Sequence, residues 1–193
     1  MSQTLRLGDE LTADYQKNMQ LVEPFIQALE QSTDCFYAMV LNAKYLYALL
    51  GKFKLWEWSD YAKWATEGAF EFIRKTEFPN AYSRMKSNYF YDDLQNCKKL
   101  YAYDWGNESE EEQQKVHLFE IELADEAPQE CDMSIYDEAY DIMNEKQDVQ
   151  AVFACARRYF ARQQSAQPVW EIMSDKPAKA VKDITYHIRG NKT

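Results

Sequence analysis

Only two histidines occur among the 193 residues, His117 and His187. Neither has a carboxylate three residues before it, since Gln114 and Ile184 stand there. The Glu-x-x-His spacing with which helical bundles hold two irons is therefore absent. So is any pair of histidines at zinc-binding spacing. The run Asp92-Asp93-Leu94-Gln95-Asn96 offers one pair a helical turn apart, Asp92 and Asn96. Holding magnesium against a diphosphate needs a second acidic motif, and none has a clear candidate. Five scattered glycines cannot make a phosphate-cradling loop. Nothing points to a Ser-His-Asp or Cys-His nucleophile. The residues predict no metal, no cofactor and no catalytic set, and the reading leans against an enzyme.

The residues that do cluster are carboxylates. Net charge is −10, and it is unevenly spread. Residues 1–103 hold 13 acidic and 12 basic side chains, residues 104–148 hold 16 and 2, and residues 149–193 hold 3 and 8. So many like charges repel one another and lower stability. One reading sets them beside the basic C-terminal stretch, with Arg157, Arg158, Arg162 and Lys176 as partners, at little gain per surface pair. The other presents them to a basic partner protein. Carboxylates on a rigid surface imitate a nucleic-acid duplex, which carries one charge per ~1.7 Å. They could then fill the groove of a nucleic-acid-binding protein or cover a nuclease, as an inhibitor or immunity protein does. The expected contact set is Glu108, Glu110, Glu111, Glu112, Glu120, Glu122, Asp125, Glu126, Asp137, Glu138 and Asp141. The same electrostatics exclude direct nucleic-acid binding by this segment.

Aromatic residues are the second resource: 14 Tyr, 10 Phe and 5 Trp. Residues 74–103 interleave Arg74, Lys75, Arg84, Lys86, Lys98 and Lys99 with Tyr82, Tyr89, Phe90, Tyr91, Tyr101 and Tyr103. Such a stretch stacks single-stranded bases if it faces solvent, and builds core if it does not. Trp56, Trp58, Tyr61 and Trp64 are expected either as anchors of a protein interface or as walls of a small-molecule pocket. The pocket reading makes the chain a helical small-ligand-binding protein or enzyme, the alternative to the acidic interaction protein. A structural subunit with an exposed apolar face is a third option.

Elements must position these groups, and helix is the default. Gly and Pro total ten, and Val, Ile and Thr number only 22. Leu11, Tyr15, Met19, Val22, Ile26 and Leu29 fall on one helical stripe, with a kink or restart expected at Pro24. A second helix, apolar all round, is expected from Thr33 or Asp34 to Gly51 at the centre of a bundle. A third spans about Trp56 to Lys75, with Gly68 allowing close helix contact. A fourth runs from Pro79 to about Tyr101. Ser109 with Glu112 reads as a capping box for a fifth, carrying Val116, Phe119 and Leu123. Ser134 with Asp137 repeats the signal more weakly. Short helices are expected around Trp170 and Met173, and around Val181, Ile184 and Ile188. The fold class predicted is all-α: one irregular domain of eight or nine helices over 1–193, without a sheet. A helical core over 9–103 with an acidic-then-basic half over 104–193 is the alternative division.

Cys35, Cys97, Cys131 and Cys155 lie far apart, and Met1–Asp9 has no apolar stretch of a secretory signal. Free thiols in the cytoplasm are expected. No run approaches the ~20 apolar residues of a membrane span, so no membrane partner is expected.

Overall fold

The computed structural model describes residues 5–12, 15–50 and 58–189. The chain runs β1 (Glu10–Leu11), α1 (Tyr15–Gln31), α2 (Thr33–Leu50), α3 (Trp58–Glu77), β2 (Asn88–Phe90), α4 (Leu94–Trp105), α5 (Glu110–Gln114), β3 (Phe119–Leu123), β4 (Gln129–Asp132), α6 (Met133–Glu145), α7 (Val149–Phe160), β5 (Trp170–Ser174) and β6 (Ala178–Asp183), then a 3₁₀ turn at Thr185–His187. The all-α expectation is overturned. Seven α-helices among the described residues accompany two three-stranded antiparallel sheets, ordered β1-β6-β3 and β2-β5-β4.

The helical half follows periodicity. Val22, Phe25, Ile26 and Leu29 of α1 are buried, and α1 continues through Pro24 as one element. The donor lost at a mid-helix proline costs about 3 kcal/mol. Four buried apolar side chains at about 1.5–3 kcal/mol each outweigh it. Ser32 Oγ accepts from Cys35 N at 3.0 Å and starts α2. The central helix is α3 and not α2. Along α3, Ala62, Ala65, Ala69, Phe70 and Ile73 are buried, and it packs on α1 on one side and on α6 and α7 on the other. Small residues permit this close approach: a Cβ on Gly68 would lie 2.6 Å from Phe25 Cβ. By contrast α2 lies outside, burying Phe36 and Val40 while Tyr37, Leu41, Tyr45 and Leu46 are exposed.

The strands replace the predicted fourth, fifth and C-terminal helices. Residues 79–87 form turns, and α4 begins only at Leu94, capped by Asp93, which accepts from Gln95 N at 2.7 Å. Ser109 does cap a helix, accepting from Glu112 N at 3.3 Å, but α5 ends after one turn. Phe119 and Leu123 belong to a strand whose alternation, Phe-Glu-Ile-Glu-Leu, splits apolar from charged side chains between its faces. The cap of α6 is Asp132, not Ser134. It is fully buried and accepts from Ser134 N (3.0 Å), Ser165 N (2.7 Å) and Val169 N (3.0 Å). Burial opposes its charge, but these N–H donors win and hold its carboxyl below the ordinary value.

The chain passes between the sheets four times, and two of those passages are short crossovers, from β3 to β4 and from β5 to β6. Both crossovers lie at one end. Ala124 N donates to Pro177 O (3.1 Å), and Ser174 Oγ donates to Asp125 (2.7 Å), tying them together. All four cysteines are free, with Cys131 and Cys155 buried. Among the described residues, no helix is long and apolar enough to cross a membrane.

Candidate functional site

Register decides what each sheet face offers. In the sheet β1-β6-β3, Leu11, Ala178 and Leu123 share a row, and Ala180 pairs with Ile121 on the same face. The opposite face carries Glu10, Lys179 and Glu122. In the sheet β2-β5-β4, Met173 and Glu171 turn to the helices, beside Gln129 and Cys131 of β4, and all four are buried. Phe90 and Ile172 share the other face. The apolar face of one sheet and the Phe90/Ile172 face of the other border a cleft of about 580 Å³. Its walls are Leu11, Phe119, Ile121 and Leu123 from the outer sheet, Tyr89, Phe90 and Ile172 from the inner, and Tyr91, Leu94 and Cys97 from the approach to α4.

Polar groups sit in the same cleft: Asp92, His117 and Glu120. His117 stacks on Phe119, ring centroids 6.1 Å apart at 25°. Among the described residues no Lys or Arg lines it. Burial, then the charge of Asp93, pushes the Cys97 thiol up, so it stays protonated at neutral pH and is a poor nucleophile. Burial likewise pushes the Tyr91 hydroxyl up to about 12, with Glu171 next in effect, keeping it a donor. The arrangement can enclose a planar ring between apolar walls and offer it carboxylate and imidazole acceptors.

Behind the inner sheet lies the densest chemistry of the molecule. Arg84, which is buried, donates from Nε to Glu67 Oε2 (3.0 Å) and from Nη1 to Glu171 Oε1 (2.7 Å) and Tyr159 Oη (2.6 Å). Tyr159 Oη in turn donates to Glu171 Oε1 at 2.5 Å. The guanidinium also lies 4.0 Å from the Tyr136 ring centroid, 5.0 Å from Tyr89 and 5.1 Å from Tyr159. Burial works against the charge on Arg84, yet Glu67 and then the neighbouring tyrosines and Glu171 outweigh it and hold its pKa well above the usual value. Burial drives the Tyr136 and Tyr159 hydroxyls well above theirs. Tyr136 Oη is buried beside Glu67 with no hydrogen-bond partner among the described residues. Next to this centre Glu71 takes a bidentate bond from Arg74 and one from Ser83 Oγ (2.9 Å).

The sequence reading missed this centre. Glu67 and Glu71 are a turn apart on the buried face of α3, and Glu171 sits between Trp170 and Ile172. A charged residue on an otherwise apolar stripe was the available signal. Arg74 and Arg84 are consumed in these ion pairs, so the basic-aromatic stretch 74–103 is not one solvent-facing patch.

The expected acidic contact set is dispersed. Glu108, Glu110 and Glu111 are exposed around α5, and Glu112 pairs with Lys115. On the outer sheet Glu120 meets Lys182 (3.6 Å), and Glu122 lies opposite Lys179. Asp125 is held in the crossover, accepting also from Ala127 N (3.1 Å), and Glu126 beside it is exposed. On α6, Glu138 pairs with Arg158 (2.9 Å), while Asp137 and Asp141 border a shallow groove with Ser134 and Glu145. Desolvation, then the charges of Glu171 and Asp141, push Asp137 up to about 6. Of the four expected basic partners, Arg158 meets this set directly, and Arg157 instead holds Glu77 at 2.7 Å.

Trp58, Tyr61 and Trp64 are half-buried against the core. Trp58 Nε1 donates to Asn144 O (3.0 Å) and its ring stacks on Tyr61 at 5.8 Å. Trp56 lies outside the described residues. Among the described residues no group of three or more His, Cys, Asp or Glu could hold a metal ion. Comparison with curated proteins finds no match. A family model described as "Protein of unknown function (DUF2441)" matches residues 2–186, nearly the whole chain, and the protein belongs to that family.

Proposed function

We propose that this protein binds a small molecule carrying a planar ring, uncharged or cationic, in the cleft between its two sheets. The observation that carries the reading is the pairing of faces: two apolar sheet faces meet across a space of about 580 Å³ instead of closing on each other. Stacked sheets at about 10 Å normally fill that space with side chains. Ligand sites are typically concave, largely apolar and fitted with a few polar groups, as here with Asp92, His117 and Glu120. The function is binding; the protonated Cys97 supplies no nucleophile and no residue is given a catalytic role. A cytoplasmic setting fits the four free thiols.

The test is fluorescence titration with p-aminobenzamidine, a planar aromatic cation, followed by a panel of neutral heterocycles. Saturable binding that Phe90→Ala and Phe119→Ala weaken, without loss of circular dichroism, is expected. No saturable binding across the panel would sink the reading.

A second reading keeps the acidic surface as a docking face for a basic protein, reduced to α6. What favours it is Asp137, whose carboxyl is pushed up to about 6 by burial first and then by the charges of Glu171 and Asp141. Asp137, Asp141 and Glu145 recur every four residues along the groove. Replacing Asp137 and Asp141 by lysine and seeing a basic protein retained from lysate at low salt would end this reading.

A further inference from the structure

A second and larger cavity, about 840 Å³, abuts the first. Three segments contribute to both. On α4, Leu94 and Cys97 line the cleft, while Lys98 and Tyr101 line the larger cavity. Gln114 belongs to the larger one and His117 to the cleft, and Ile184 lines the cleft while His187 and Arg189 line the other.

The two spaces differ in charge. Among the described residues the cleft has carboxylates and no Lys or Arg, while the larger cavity has Lys98, Arg189 and His187 against one acid, Glu110. In a chain of net charge −10, a cation-lined cavity runs against the composition. The Lys98 ammonium and the His187 ring make no hydrogen bond or ion pair among the described residues; the His187 ring lies against Tyr186, centroids 4.1 Å apart and tilted by 34°. Arg189 is fixed at the wall, its Nη2 donating to Gln114 O (2.8 Å) and Val116 O (3.2 Å). That leaves Nη1 and Nε to donate elsewhere. The rim is held in turn by Gln113, whose Nε2 donates to Trp105 O and Glu108 O, both at 3.0 Å.

We infer that this cavity is an oxyanion subsite, taking a phosphate-type group carried by the molecule whose ring occupies the cleft. Lys98 and Arg189 supply the charge, Arg189 through the single donors left on Nη1 and Nε, and His187 adds a further donor. The clause that joins ring and oxyanion rests on the proposed function above; the oxyanion subsite does not.

The experiment is amide NMR titration of the full chain at constant ionic strength with two probes, inorganic phosphate and phenyl phosphate. Phosphate should shift the amides of 98–102, 113–114 and 187–189 saturably. In Lys98→Gln and in Arg189→Gln its affinity should fall at least fivefold, with the melting temperature and the remaining spectrum unchanged. Unsaturable shifts, or full affinity in both variants, would overturn the subsite. Phenyl phosphate should bind at least threefold tighter than phosphate, and Phe90→Ala should erase that gain while leaving phosphate itself unaffected. Equal affinity for the two probes in the unaltered chain would overturn the ring reading and its link to this subsite, with phosphate binding still deciding the subsite itself.

Discussion

The two faces of the sheet β2-β5-β4 solve opposite problems with neighbouring residues. Glu171 and Ile172 are adjacent in β5, yet one points into a closed ionic centre whose charged groups are all paired and the other into open space. On the helix side, every group strong enough for chemistry is consumed: Arg84 by two glutamates and a tyrosine, Glu71 by Arg74 and Ser83. On the cleft side, the residues are chemically mild and the space is free. Reactive residue types therefore mark the structural centre here, and the mild ones mark the binding site. A buried ion pair adds little net stability, but removing one partner strands the other.

The sharpest way to break this comparison is Arg84→Met. It leaves Glu67 and Glu171 buried without their cation and should cost about 3–5 kcal/mol. The melting temperature should drop by roughly 10 °C. Survival of ring binding at low temperature would confirm that the two faces are separable; unchanged stability would end the structural assignment. Next in size is Asp132→Ala, which strands three N–H donors at the start of α6 and should cost about 2–3 kcal/mol in urea unfolding. On the other face, Phe90→Ala should cost about 1–2 kcal/mol while weakening the ring probe at least tenfold.

A pH experiment sharpens the contrast. Asp137 has its folded pKa pushed up to about 6, above its unfolded value, so the native state takes up a proton first as pH falls. Stability from this group should rise as pH drops from above 6 toward 4. Asp137→Asn should remove that rise and be the more stable form at pH 8, by a margin smaller than the changes above. The smallest effect belongs to Glu77, exposed and held below its usual pKa mainly by its hydrogen bond to Arg157. It stabilises above the unfolded pKa, and this is lost as pH falls through the depressed value. Glu77→Gln should cost under about 1 kcal/mol by thermal melting at neutral pH.

The three N-terminal helices were legible because their apolar spacing is long and regular. The strands were not, and the reason is visible in Phe119–Leu123. Phe119 and Leu123 are four apart, so they satisfy helical spacing, while Ile121 between the two glutamates satisfies strand spacing equally. Five residues cannot separate the two periods, and the Ser109 cap upstream tipped the reading to helix. β2 and β4 are shorter still, at three and four residues. The apolar character of α2 misled in the other direction, because exposed tyrosines and leucines read as core. Of the candidate site, Phe90, Tyr89 and Tyr91 were singled out as a basic-aromatic stretch. Their meeting with Phe119 and Ile121 is long-range, set by the two crossovers, and no local spacing encodes it.

Those crossovers work as the spine of a book. Both lie at the Leu123/Ala178 end, stitched by the Ala124–Pro177 and Ser174–Asp125 bonds, while the cleft runs between the covers as far as Phe119 and Phe90. How far the pages stand apart then depends on the length and stiffness of residues 124–128 and 175–177, none of which lines the cleft. Lengthening either hinge segment by one residue should retune which ring sizes fit, without altering a single side chain in the cleft.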